Sequence, residues 1–482
     1  MVYITFLYYI FTAFAVILYY LFPMRHRWYV LLAGSMLFYW YISQYSKKRF
    51  LVLILLAFLV WLAGICAERY SRLRKMILGL SVTAVAALLI LSKEMPLIMD
   101  AVLHGKGQGG LLVPVGFSFF TMQLISYCAD VYRGGIRAER SFPRFLLFIS
   151  FFPQIVQGPI PRYGQLSRQL TEGHRFDEKG FVRGFMLILW GFFLKLCIAD
   201  KAGIIVDTVF NNYPAYQGMY ILTGGTLYSF QLYTDFLSCT CLAQGVSGLF
   251  GITLSDNFAR PYLAVSIKDF WRRWHISLSS WLRDYVYIPL GGNRRGKLRK
   301  NLNILITFAV SGVWHGGGVK FLFWGLLHGI YQVIGDLLPM HGKNGKAGTG
   351  TGKTYPSDRF LRSAGTFCLV MPAWIIFRAD SLRTGLSMIR SIFTVFNPWI
   401  LTDDSLFRLG LGWKEVILLI VCLLILLAVS LLQEKGVRIR ERVLSCSLPV
   451  RWGIYIGAVL FIMVFGTYGW GFDARSFIYG GF

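Results

Sequence analysis

Residues 301–318, NLNILITFAVSGVWHGGG, decide how the rest of the chain is read. Wound as a helix, this run places Asn303, Thr307, Ser311 and His315 four residues apart, so all four fall along one side. Nearly every other position is apolar, and three glycines follow the histidine. A polar stripe on an otherwise apolar helix lines a cavity or meets another polar element inside a membrane. Glycines 316–318 are expected to end the helix and to let a second chain segment or a substrate come close. The plain alternative is a histidine that only hydrogen-bonds a neighbouring helix.

Composition points to a membrane. Of 482 residues, 56% are hydrophobic, 17% aromatic and 15% charged, too few charges to cover a water-facing surface. The formal net charge is +26, but the basic residues come in short clusters between apolar runs. That is the pattern of loops facing an anionic leaflet, so membrane lipids, and not nucleic acid, are the expected polyanion. Cysteines such as Cys66, Cys197 and Cys422 sit inside apolar runs, which implies buried thiols rather than a disulfide framework. Cys239 and Cys241 have no second Cys/His pair nearby, so no metal site is expected. The N-terminus has a long apolar run without a basic lead-in or small-residue cleavage site and reads as a retained first span.

A span takes roughly 20 apolar residues, and the candidates are 2–22, 28–45, 50–67, 76–92, 181–199, 415–433 and 452–470. Runs within 111–160, 217–254 and 302–397 are interrupted by Gly, Pro and polar residues, as in VPVGFSFF and FPQIVQGPIPR. Irregular backbone survives at membrane depth only against protein or a water-filled cavity, so the middle of the chain is expected to enclose one. The expected organisation is a single membrane domain over 1–482. It has N-terminal spans to 110, a core over 111–335, a hydrophilic loop over 336–360 and C-terminal spans from 361. Loops one and three carry Arg25, Arg27, Arg69, Arg72, Arg74 and Lys75, against Lys47, Lys48 and Arg49 in loop two, which places the N-terminus outside. The stretch AGTGTGKT within 341–358 matches a relaxed phosphate-loop pattern. It lacks the preceding strand and has a proline after it, so it reads as a solvated loop.

A second constellation is SIKDFWRRWHISLSSWLRDYVYIPLGGN, residues 266–293. Apolar residues at 267, 270, 271, 274, 278, 281, 282 and 285 keep helical spacing, with Lys268, Arg272, Arg273 and Arg283 opposite. Ser266 with Asp269 makes a capping-box start. The run predicts one amphipathic helix at the interface, anchored by Trp271, Trp274 and Trp281, with His275 on the border of its apolar face looking inward. Its arginines suit phosphate headgroups. His328 is expected to be a structural hydrogen-bonder. No G-x-S-x-G or H-E-x-x-H spacing occurs, so proton transfer by histidine is the expected chemistry. An imidazole in an apolar pocket has its charged form disfavoured and stays a neutral base, which suits deprotonation of an alcohol attacking an activated acyl group.

At these residues the chain resembles the membrane-bound O-acyltransferase family, in its bacterial alginate O-acetyltransferase and D-alanyl transfer branch. The likeness is densest at VPVGFSFFTMQLISYCADVYRG, FISFFPQIVQGPIPRY, the block from Asp256 to Gly296, SGVWHGGGVKFLFWGLLHG and FRADSL. It implies an all-α polytopic fold of about eleven spans ringing a thin central region, with re-entrant and amphipathic helices. A tunnel there would join a cytoplasmic donor side to an external acceptor side. It also implies that His315 is the essential catalytic residue and that His275 supports it, with Trp314, Ser311, Thr307, Asn303, Trp274 and Asp235 lining or supporting the tunnel.

No bound cofactor is implied. A thioester, acetyl-CoA or an acyl-carrier protein, would be the acyl donor. The expected acceptor is a hydroxyl of an envelope polysaccharide, or an extracytoplasmic esterase-like partner that passes the group on, in a bacterial cytoplasmic membrane. Alternatives are D-alanyl transfer from a small carrier protein to teichoic acid, a lipid-linked sugar flippase, and a structural scaffold. The chain departs from the family pattern after Tyr233, where TDFLSCTCLA keeps Asp235 but lacks a second acidic residue, and again at its FIYGGF ending.

Overall fold

The computed structural model describes residues 3–103, 114–337 and 356–468, and the phosphate-loop-like stretch lies outside them. The N-terminal helices are α1 (Phe6–Leu21), α2 (Arg27–Ile42), α3 (Lys47–Arg69) and α4 (Arg74–Leu103). The middle of the chain forms α5 (Phe117–Arg133), α6 (Phe142–Ser150), α7 (Tyr163–Glu172), α8 (Glu178–Phe192), α9 (Asp200–Asn211), α10 (Met219–Leu249), α11 (Ile267–Arg273) and α12 (Ile276–Leu282). Then come α13 (Gly296–His315), α14 (Val319–Leu337), α15 (Pro356–Arg378), α16 (Leu382–Thr394), α17 (Trp413–Glu434), α18 (Ile439–Leu444) and α19 (Leu448–Phe465).

Six helical stretches among the described residues are long and apolar enough to cross a membrane: 47–69, 74–93, 178–211, 357–378, 413–434 and 448–465. The first expected span is shorter than the run 2–22 suggests. Thr5 caps it at one end, accepting from Tyr8 N at 3.3 Å, and α1 stops after 16 residues, just before Pro23. The span from 178 to 211 is continuous only because α8 and α9 are joined by a π turn, Phe193–Ala199. Such a turn widens the helix locally and often marks a functional site.

α8 and α10 touch backbone to backbone. A Cβ on Gly184 would lie 2.7 Å from the Gly245 carbonyl oxygen, and one on Gly245 would lie 2.7 Å from that of Gly184. Beside this contact, Lys195 of the π turn reaches Asp235 on α10 at 2.7 Å and Asp200 at 2.9 Å, all three fully buried. The ion cluster and the glycines fix the mutual register of α10 and the continuous stretch 178–211.

Buried apolar residues fall into two clusters. One joins the N-terminal helices to residues 117–170 and takes in Leu278, Trp281, Leu282 and Trp314. The other joins residues 193–236 to the C-terminal helices and takes in Phe270, Trp271, Trp274, Phe321 and Trp324. The chain passes from one cluster to the other at several places, two of which lie between Trp274 and Leu278 and between Trp314 and Phe321. His275 and His315 occupy those two crossings.

Candidate active site

α13 forms as the stripe predicts, with Asn303, Ser311 and His315 buried and Thr307 half-buried. Asn303 ties the foot of the helix to the preceding loop by donating to the Gly292 carbonyl at 3.0 Å. Thr307 bonds back to the Asn303 carbonyl at 2.6 Å, a contact that satisfies its hydroxyl without leaving the helix. The helix stops at His315, where expected. A Cβ on Gly316 would lie 2.3 Å from the Phe321 ring, so the glycine is what lets α14 turn back so tightly.

The expected continuous helix over 266–293 is corrected. It breaks at His275 itself, which lies in the left-handed region at φ 43° and joins α11 to α12, and a π turn at Arg283–Tyr287 follows. The capping at Ser266 is present, its hydroxyl accepting from Asp269 N at 3.1 Å. The break is held by residues 257–259. The Asn257 carbonyl accepts from Ile276 N at 2.9 Å, its side-chain oxygen accepts from Ser277 N at 3.1 Å, and Ala259 N donates to the Arg273 carbonyl at 2.9 Å. These bonds replace those a straight helix would make. The kink turns the His275 ring inward at 1% exposure. Neither ring nitrogen has a hydrogen-bond partner among the described residues.

Trp314 bridges the two histidines, its ring centroid 6.0 Å from that of His275 and 4.8 Å from that of His315. Its indole N–H donates to the Ser118 carbonyl at 3.1 Å, and its own carbonyl accepts from the Lys93 ammonium. Trp324 and Phe377 meet the His315 ring edge-on at 5.0 and 5.5 Å. Trp274 packs at 4.9 Å on Trp374, which stacks on Trp324. His328 accepts from the Trp271 indole N–H at 3.4 Å and touches Trp324. The imidazole of His315 is therefore enclosed by aromatic surface. Asp235 stands apart from this cage in its ion pair with Lys195, although its neighbour Phe236 meets the His275 ring at 4.7 Å.

A cavity of about 510 Å³ opens along the stripe. Thr307, Ser311 and Trp271 line it, as do Lys268, Arg272, Arg283 and Lys300 together with one carboxylate, Asp336. His315 lies one helical turn, about 6 Å, beyond Ser311. An elongated guest with an anionic end at the basic residues would have its other end near His315.

Sequence reasoning missed Lys93, Trp324, Trp374, Phe377 and Asn257. Lys93 alone left a signal, a single cation closing the apolar run 76–92.

Two histidines thus sit in one aromatic enclosure, and His315 lies one helical turn beyond the end of a cavity with a basic lining. Residues 135–338 match the profile of the membrane-bound O-acyltransferase family, MBOAT. The chain is 33% identical to the probable alginate O-acetylase of Pseudomonas fluorescens over 84% of its own length and 77% of that protein's. It is 34% identical to the peptidoglycan O-acetyltransferase of Helicobacter pylori over 58% of this chain and 57% of that one. It is 31% identical to the teichoic acid D-alanyltransferase of Bacillus subtilis over 58% of this chain and 74% of that one. The chain belongs to the membrane-bound O-acyltransferase family.

Proposed function

We propose that the chain moves a short acyl group, acetyl foremost, from a cytoplasmic thioester to a hydroxyl of an envelope polysaccharide, or to a partner that passes it on. The observation that carries this reading is the cavity lined by Lys268, Arg272, Arg283, Lys300, Thr307 and Ser311, with His315 one helical turn beyond Ser311. The basic end suits the phosphates of acetyl-CoA or of a carrier-bound phosphopantetheine. The apolar walls suit the uncharged arm that bears the thioester.

In the reaction, the His315 imidazole takes the proton of the acceptor hydroxyl as that oxygen attacks the thioester carbonyl carbon. The C–O bond forms, the C–S bond breaks, and the imidazolium returns the proton to the leaving thiolate. His275 supports the step from the other side of Trp314. The ring of about eleven spans belongs to the same proposal, with all of 1–482 forming one membrane domain.

Three contacts support a cytoplasmic donor side. Gly134, at the end of α5, lies beside Arg74 of loop three, and Arg133 donates to the Asp284 carbonyl at 2.9 Å, next to the cavity residue Arg283. From that level α4 and α13 each climb nearly 20 residues, about 28 Å, before Lys93 meets Trp314. The basic third loop and the basic cavity end therefore share a side, which the positive-inside rule makes cytoplasmic, with the N-terminus outside.

His315→Ala is expected to lower ester-linked acetyl on the envelope polymer by at least about a hundredfold while the protein keeps its abundance in the membrane. Mass spectrometry of surface glycans and teichoic acids, with and without the gene, reads this directly. Undiminished acetylation by the variant sinks the assignment of His315. Ester-linked alanine in place of acetyl replaces the acyl group and the donor.

A further inference from the structure

Gln157 lies in the loop FFPQIVQGPIPR between α6 and α7 and is 1% exposed. Neither its side-chain oxygen nor its nitrogen has a partner among the described residues. A buried carboxamide left without hydrogen bonds is destabilising. Rotation does not relieve it, because both ends of the amide are in the same position.

The loop that carries Gln157 is held firmly. Gly158 N donates to the Gln154 carbonyl at 2.8 Å, closing a turn so tight that a Cβ on Gly158 would fall 2.6 Å from the Gln154 Cα. Val156 N donates to the Tyr3 hydroxyl at 3.3 Å, which in turn donates to the Phe152 carbonyl. A Cβ on Gly116, at φ +75°, would lie 2.3 Å from the Ile155 carbonyl oxygen, so α5 starts hard against the same turn. Gln157 is thus fixed in place, as a binding group must be.

The loop is packed on the surroundings of His275. Cys239 of α10 donates its thiol to the Gln157 carbonyl at 3.7 Å, and three residues earlier on the same face Phe236 meets the His275 ring. On the other side, Ile160 N donates to the hydroxyl of Ser277, two residues beyond His275. Gln157 and His275, whose side-chain polar atoms have no partner among the described residues, thus belong to segments packed on one short stretch of α10. Gln157 does not line the basic cavity.

We infer that Gln157 binds the acceptor: its carboxamide hydrogen-bonds a sugar that presents a hydroxyl beside His275. A carboxamide offers two N–H donors and an acceptor oxygen in one plane, which matches adjacent hydroxyls of a sugar ring. The inference rests on the acyl-transfer reading and assigns the acceptor end of it.

The test compares the parent with Gln157→Met, which keeps length and volume and removes the polar atoms. Both proteins, in membranes, receive radiolabelled acetyl-CoA with an alginate oligosaccharide or a peptidoglycan disaccharide. Three quantities are read: the KM for the sugar, acetyl-CoA hydrolysis without sugar, and the thermal midpoint in detergent. The expected result is a sugar KM raised about tenfold or more, with hydrolysis kept and a midpoint unchanged or higher. A sugar KM within about twofold of the parent overturns the inference, since the amide is then satisfied by water alone. Loss of hydrolysis together with a lowered midpoint overturns it too, as a structural role. A parent that hydrolyses acetyl-CoA but acetylates neither sugar sinks the sugar acceptor, and one with no turnover at all sinks acyl transfer itself.

Discussion

The left-handed backbone of His275 costs about 1–2 kcal/mol for a residue with a Cβ, and the bonds from Asn257 hold it there. Asparagine tolerates this region better than most residues and lacks a titratable ring. His275→Asn is therefore expected to fold with an unchanged thermal midpoint and to lose transfer by roughly one to two orders of magnitude. A variant with full activity would show that the imidazole is dispensable. A variant with a collapsed midpoint would show that the ring holds the kink by packing on Phe236 and Trp314. The kink could not be read from WRRWHISLSS, which has neither glycine nor proline, because the strain is imposed by residues 257–259 from outside the helix. The role of Asp235 was hidden in the same way, since Lys195 lies 40 residues earlier.

At the scale of elements, the hairpin of α13 and α14 carries His315 and His328 and is drawn together by glycines. A Cβ on Gly312 would lie 2.3 Å from the Phe321 carbonyl oxygen, and one on Gly325 would lie 2.2 Å from that of Phe308. Gly325→Ala must push the two helices apart, at about 1–3 kcal/mol, and is expected to lower both the thermal midpoint and the rate of transfer. Gly335, with nothing within 4 Å of its Cβ position, is the control. Alanine there should stabilise by up to about 1 kcal/mol through helix propensity. Equal effects at the two sites would mean that the close contact does not matter. This hairpin was legible because a four-residue repeat on an apolar background has one helical reading, and the glycines after His315 left one place to turn. The contact of Lys93 with Trp314 joins residues 221 apart, which no local pattern encodes.

At the scale of the molecule, two hydrophobic clusters meet at the candidate active site, and buried charge keeps the second in register. Lys195 is matched by Asp235 and Asp200 where α8, the π turn and α10 come together. Lys195→Met leaves two carboxylates buried without their cation and is expected to cost roughly 3–5 kcal/mol. The neutral combination Lys195→Met, Asp200→Asn, Asp235→Asn should recover much of that loss, because the desolvated charges leave with the pairing. Thermal midpoints in detergent decide it. A triple variant no more stable than the single one would assign the cluster a role beyond charge compensation.

Glu434, at the end of α17, accepts from Arg260 at 2.7 Å, from Arg273 at 3.0 Å and from Arg359. Arg273 ends the helix that leads into His275. During synthesis those arginines enter the membrane region well before their carboxylate exists, since Arg273 is made 161 residues ahead of Glu434. Arg273, which ends the helix leading into His275, therefore gains this partner only after α17 has been made. A nascent chain stalled short of α17 is expected to be membrane-bound yet to lack this anchor on the helix before His275.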